Sequence, residues 1–226
     1  MNQLVAAFAM FADPAHWTGT SGFGARLAQH AGYSALAVGV AALIAVPLGI
    51  AVGHSRRGTT AILSAAGALR ALPALGLLTW LAIAIPGGAR TPLLPATVVL
   101  VVLAVAPLLT GVVAGFDSVE RDVVYSARAA GYSERQILLR VELPLAAPVI
   151  LGGLRSCAVQ VIATATVVAF IGLGGLGRYL IDGLAVQDYP RMVVGAVLVT
   201  LLALVVDLVL AGMQRAVRPR IRSVSG

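Results

Sequence analysis

The chain contains no lysine; all sixteen of its basic side chains are arginine. A Walker-type nucleotide loop needs its lysine on the phosphates, so this chain supplies no standard ATP site of its own. Cysteine is almost as scarce. Cys157 is the only one, which excludes an intrachain disulfide, and inside an apolar run it reads as a small packed side chain. Charge of either sign is thin, at 11% of 226 residues, against about a quarter in a soluble domain. The opening stretch, MNQLVAAFAMFADPAHW, has no basic residues ahead of its apolar ones, so a cleaved signal peptide is not expected. It is also too short to span a bilayer. Residues 1–26 read as an interfacial segment on the extracytoplasmic side, with Trp17 near the headgroups. His16, His30 and His54 have no metal-ligand spacing and read as solvated histidines. No nucleophile-base-orienter set and no internal repeat is present.

What is abundant is hydrocarbon. The chain is 59% hydrophobic with a mean hydropathy of +0.96. Several apolar runs exceed the roughly 20 residues that cross a bilayer. That describes an all-α, polytopic membrane protein, since a barrel would alternate in segments of about ten residues. The expected spans are Leu27 to Gly53, Thr59 to Ile85 with a kink at Pro73, Leu93 to Phe116, Pro144 to Ile171 and Met192 to Met213. They make a transmembrane domain of residues 27–214, followed by a basic tail, 215–226. In a soluble protein a net charge of +7 would suggest nucleic acid; here topology accounts for it. Arg56, Arg57, Arg121, Arg128, Arg135, Arg140 and the four arginines of the tail fall on one side of five spans. Arg26, Arg90, Arg178 and Arg191 fall on the other. The positive-inside rule then puts the N-terminus outside and the tail in the cytoplasm.

One polar island, Asp117 to Glu142, interrupts the apolar chain on the cytoplasmic side. Ser118 is a candidate N-cap, with Glu120 and Asp122 in the first turn where the helix dipole favours acids. Gly131 suits the left-handed position past a helix end. Ser133 and Gln136 have capping-box spacing, and Tyr132 and Ile137 sit at the staple positions. Pro144 disfavours helix at Leu143 and should open the fourth span. Two short helices with a fixed elbow exceed what a connector needs. They suit a docking element for a cytoplasmic partner.

The island reads YSARAAGYSERQILLRVELP. It resembles the signature of ABC importer permeases: Glu-Ala-Ala, three residues, Gly, nine residues, Ile, one residue, Leu-Pro. Ala127 matches the second Ala, Gly131 the Gly, and Leu143 and Pro144 the close. Val141 stands in the Ile position. Tyr125 and Ser126 replace the Glu and the first Ala, so the contact made by the family's Glu has no direct counterpart. ALRALPALGLL, ELPLAAPVILGGLR and FIGLGGLGRYLIDGL further resemble the osmoprotectant branch, whose cargo is glycine betaine, choline, carnitine or proline. The resemblance runs from about Tyr33 to Leu210.

It implies a type I importer permease fold in a bacterial or archaeal cytoplasmic membrane. It also implies two cytoplasmic ATPases that carry the ATP and Mg, a second permease and an extracytoplasmic binding protein. No cofactor is expected in this chain and no nucleic acid as partner. The island's first helix, about Val119 to Ala130, becomes a coupling helix. Val123, Val124, Tyr125, Ala127, Arg128, Gly131 and Ser133 are then the coupling residues. Methionine or sulfonate importers share the class. An ion-coupled secondary transporter would use paired broken helices, for which Pro73 is the one candidate break. An intramembrane enzyme has no catalytic cluster here.

Two further features stand out. Gly172, Gly174, Gly175 and Gly177 fit a dinucleotide pattern literally. A span precedes them and no acid stands near residue 197, so the context that pattern needs is missing. They read as a flexible outer loop near the gate or the docked binding protein, with plain turn-forming glycines as the alternative. Arg70, Arg155 and Asp207 are ionisable residues inside spans, which are costly and face a bundle interior or water. They read as a charge cluster clamping the bundle, with a role in the pathway or gate as the alternative and snorkelling to the interface as a third reading.

Overall fold

A computed structural model describes residues 2–217. Among them there is helix and no strand. Helix α1, Asn2–Ala12, leads through a helical turn, Pro14–His16, into α2, Phe23–Ser55. α3, Thr59–Arg70, and α4, Ala74–Ala84, follow, and then α5, Leu93–Asp117. A short polar helix, α6, Arg121–Ala129, precedes α7, Glu134–Ile137, which widens into a π turn, Leu138–Glu142, and runs on as α8, Leu143–Thr164. A 3-10 turn, Val167–Ile171, then α9, Gly177–Ala185, and α10, Tyr189–Val217, complete the order. Four apolar helices are long enough to cross a membrane: α2, α5, the run from Glu134 to Ile171, and α10.

Helix α5 is the hub, packed by α2, α3, α4 and α8. Its most apolar window is 61% buried, against 22% for those of α2 and α10. Close approach comes from small residues. α2 turns Ala37, Ala41, Ala45, Gly49 and Gly53, spaced by four, toward the core. A Cβ on Gly49 would stand 2.6 Å from the Val112 side chain. α5 and α8 cross with glycine on glycine: a Cβ on Gly111 would stand 2.5 Å from the Gly153 Cα. Lipid does not drive helices together as water does, so contact between such backbones supplies the packing.

The expected second span is broken rather than kinked. α3 and α4 meet at 82°. Proline disfavours helix in the residue before it, and Pro73 itself is extended, with φ −69° and ψ 112°. Each limb is roughly 17 Å long, too short to cross alone. The pair counts as a fifth span only if taken as one. The opposite error occurs at Pro144. Leu143 is helical, with φ −62° and ψ −44°. Pro144 has no N–H for the Arg140 carbonyl. The helix absorbs the loss by widening, with Leu143 N–H donating to the Leu138 carbonyl. The island's second helix is therefore an extension of the fourth span.

At the other end of the bundle α1 lies against α10. Ala7, Phe23, Leu176, Tyr179 and Val194 form a small core there. Trp17 stays half exposed, its Nε1 donating to the Phe11 carbonyl at 2.9 Å. Arg218, Arg220 and Arg222 of the basic tail lie outside the described residues.

Candidate functional site

The polar elbow is built from local rules. α5 runs on to Asp117, so Ser118 closes that helix instead of opening the next, its Oγ donating to the Gly115 carbonyl at 2.7 Å. Val119 is buried with Val112, Phe116 and Ala146, which turns the chain. α6 then starts at Arg121 with Glu120 as its cap residue. Its end is a Schellman motif. Tyr132 N–H reaches the Ala127 carbonyl at 3.2 Å and Gly131 N–H the Arg128 carbonyl at 3.0 Å. Gly131 has φ +86°, where a side chain is strained. Ser133 and Gln136 make both halves of the capping box. Ile137 is fully buried beneath it, while Tyr132 stays exposed.

Ion pairs brace the elbow. Arg128 grips Glu134 with two hydrogen bonds, 2.7 and 2.9 Å. That grip holds the Glu134 carboxyl below the usual range and raises the Arg128 guanidinium. From the end of α2, His54 presents Nδ1 to the Glu142 carboxylate, while its Nε2 lies 3.6 Å from Glu134. Glu142 is buried at 1% exposure. Arg56, left-handed at the α2 C-cap, donates to the Phe116 and Val119 carbonyls at 3.3 and 3.1 Å. Span one, the hub helix and the elbow are thus tied together around a cavity of about 230 Å³.

Within α6, Val124 and Ala127 are half-buried and turn inward. Val123, Tyr125, Ser126 and Arg128 are exposed, and Tyr125 and Arg128 also line the cavity beneath the elbow. Val141 and Leu143 are half-buried and Pro144 exposed at the root of α8. His54 is not the solvated histidine the sequence suggests. The overlooked signal was Glu142, a carboxylate at the mouth of an apolar run that could be buried there only with a partner.

Of the three intramembrane charges, two meet. Arg155 binds Asp207 through Nε and Nη2 at 3.0 and 2.8 Å, and its Nη1 donates to Gln214 at 2.8 Å. Gln214 in turn donates to the Pro148 carbonyl at 2.6 Å. Arg70 does not join them. α3 packs along α5, so Arg70 donates to Thr110 at 3.2 Å, across a neighbouring cavity that Gln214 also lines.

The glycine loop is clasped rather than free. Gly175 N–H donates to Gln29 on α2 at 3.0 Å, and Leu173 and Leu176 are buried. Gly172 and Gly175 take left-handed φ of +84° and +95°. Gly174 abuts the Gln29 and Arg26 side chains, and Gly177 the Thr166 backbone. His30, another residue read as solvated, is buried below this loop, with Nε2 2.9 Å from the Ile162 carbonyl. Cys157 is buried against Ala104, as a packed side chain would be.

A bundle of long apolar helices around a glycine-notched hub, with a capped polar elbow at one end, is the architecture of a type I ABC importer permease. A chain of an inward-facing MetNI methionine ABC transporter matches with a TM-score of 0.72 at 20% identity, covering 85% of this chain and 94% of that one. A chain of an amino acid ABC transporter crystallised with histidines matches at 0.67 and 20%, covering 86% and 93%. At these identities the likeness is one of fold.

The sequence goes further. The model of the family described as binding-protein-dependent transport system inner membrane component matches residues 45–223, and the chain belongs to that family. It is 36% identical over 191 residues to the choline transport system permease protein OpuBB of Bacillus subtilis, covering 84% of this chain and 86% of the relative. It is 33% identical over 195 residues to the glycine betaine/carnitine/choline transport system permease protein OpuCB of the same organism, covering 86% and 88%. The osmoprotectant import permease protein OsmW of Salmonella typhimurium is 34% identical over 196 residues, covering 85% and 90%. The protein is a multi-pass membrane component of an ABC importer.

Proposed function

We propose that this permease carries a small quaternary-ammonium osmoprotectant, of the glycine betaine, choline or carnitine kind, into the cell. The observation that carries the cargo class is the 36% identity over 84% of the chain to a choline permease. ATP is hydrolysed on two partner ATPases in the cytoplasm, and a binding protein delivers cargo on the outer face. A second permease, identical or paralogous, completes the passage. The N-terminus is outside and the elbow and tail are cytoplasmic; the arginine asymmetry supports this orientation.

In this reading α6 sits in a groove of the ATPase. Its exposed Val123, Tyr125 and Arg128 supply the contact, and Tyr125 takes over the place of the family's acid. Closure of the ATPases pulls α6. Since α7 continues unbroken into α8, the pull reaches the membrane without a hinge. The cycle works if nucleotide favours one state of a two-state bundle. The clasped glycine loop is the outer feature nearest a docked binding protein.

The test is an uptake panel with the complex co-expressed from its partners. ATPase subunits should co-purify with this chain, and unlabelled choline, glycine betaine or carnitine should compete for uptake while methionine does not. Methionine-competed uptake would overturn the cargo class.

A further inference from the structure

A membrane bundle conceals its charges from lipid, yet one side of this bundle leaves polar groups open within a span. α8 is packed by α5 on one flank, α10 on the other and α2 behind. Its fourth side is uncovered. Val149, Ser156, Gln160 and Ala163 are exposed along it, with Gly152 half-exposed between them. At 1.5 Å per residue Ser156 and Gln160 stand roughly 20 and 26 Å from Leu143, in the far half of a hydrocarbon core of about 30 Å.

Two cavities flank this edge. One, about 690 Å³, is lined by Ser156, Gln160, Thr200, Arg155 and Asp207. The other, about 490 Å³, holds Arg70, Thr110 and Gln214 and shares Gly152 and Ser156 with the first. The two open into one face. The outer side of α10 is different. Leu201, Val205 and Val209 are exposed there and wholly apolar, as a lipid-facing surface should be.

The Arg155–Asp207 pair is not sealed. Its side chains are 29% and 31% exposed and both line the larger cavity. A cation and an anion side by side, each with an open edge, complement a zwitterion. A carboxylate fits against Arg155 and a cationic head against Asp207, while a plain cation would use Asp207 alone. We propose that the open face of α8 is the water-filled route of the cargo, and that the half-open Arg155–Asp207 pair is a cargo contact on it, Asp207 taking the cationic head and Arg155 the carboxylate of those cargoes that carry one. This deepens the import reading and rests on it for the cargo, whereas the water-filled face rests on the bundle alone.

The test uses the whole complex with its ATPases and binding protein, in a Cys157→Ala background. Single cysteines replace Ser156 and Gln160 on the face, and Leu201 and Val205 on the apolar side. A charged methanethiosulfonate reagent should modify the first two on the order of tenfold faster, because water reaches only the polar face. Saturating glycine betaine should slow modification at position 160. Asp207→Asn should abolish that protection, and Asp207→Glu should restore it. Equal rates at all four positions would overturn the route. Protection that is absent, or that survives Asp207→Asn, would overturn the cargo contact and leave the pair a clamp. Failure of the import reading would appear separately, as no ATP-driven uptake by the unsubstituted complex.

Discussion

At the scale of single residues, the elbow hangs on Gly131 and on the His54–Glu142 contact. A β-branched residue at φ +86° is strained by about 1–2 kcal/mol, and no atom lies near enough to clash with its Cβ. Gly131→Val should therefore re-aim α6 and leave the spans intact. The complex is expected to assemble while stimulation of ATP hydrolysis by loaded binding protein falls; full stimulation in an assembled variant would contradict this. His54→Ala strands a buried carboxylate, which costs on the order of 3–5 kcal/mol when a partner is removed. It should lower the unfolding midpoint of the complex more than Glu142→Gln, which removes the charge as well; equal losses would mean the pair is not what holds Glu142. The Arg128–Glu134 pair titrates the other way from a raised base. The Glu134 carboxyl is held low, so its bracing is complete at neutral pH and lost only as acid carries the pH down through that lowered value. Gly131 and the Ser133 box were legible because caps are written in four or five consecutive residues. His54 and Glu142 were not, because they are 88 residues apart and only the fold brings them together.

Helices and their joints repeat that lesson. Three of the long spans could be read within a few residues, since length and hydropathy are summed properties that no single position decides; the fourth begins ten residues earlier than expected, at Glu134. Both errors fell at prolines. Pro73 ended a helix outright and Pro144 was absorbed in a π turn, and which occurs depends on the neighbours that re-satisfy the backbone. The absorbed proline matters more, because it makes the elbow and the fourth span one lever. The joint between α8 and α10 is the Arg155–Asp207 pair with Gln214 alongside. Alanine at either charge should lower complex stability, and the double substitution should cost less than the sum of the two. A double-mutant cycle on thermal midpoints checks this, and simple additivity would show that the pair is not coupled. Arg70 serves as the control, since its hydrogen bond goes to Thr110; Arg70→Ala should add independently to Asp207→Ala.

For the whole molecule, the arginine distribution predicts sidedness. Cysteines at Ser55 and Ser133 should be shielded from an impermeant thiol reagent in intact cells, and one at Thr91 should react; labelling at Ser133 would invert the topology. The family could be read from the elbow because its signature is spelled out in one short stretch, Tyr125 to Pro144. The osmoprotectant branch could be read only as a resemblance, in ALRALPALGLL, ELPLAAPVILGGLR and FIGLGGLGRYLIDGL, and none of these stretches names a single cargo. The central claim is that this bundle imports a quaternary-ammonium solute on ATP power delivered through the elbow. The most direct measurement is uptake of radiolabelled glycine betaine or choline into proteoliposomes holding the purified complex, with loaded binding protein outside, ATP trapped inside and ion gradients collapsed. The account predicts uptake that requires ATP and is lost in Gly131→Val. Uptake driven by an ion gradient in vesicles holding this chain alone, without ATP, would contradict it.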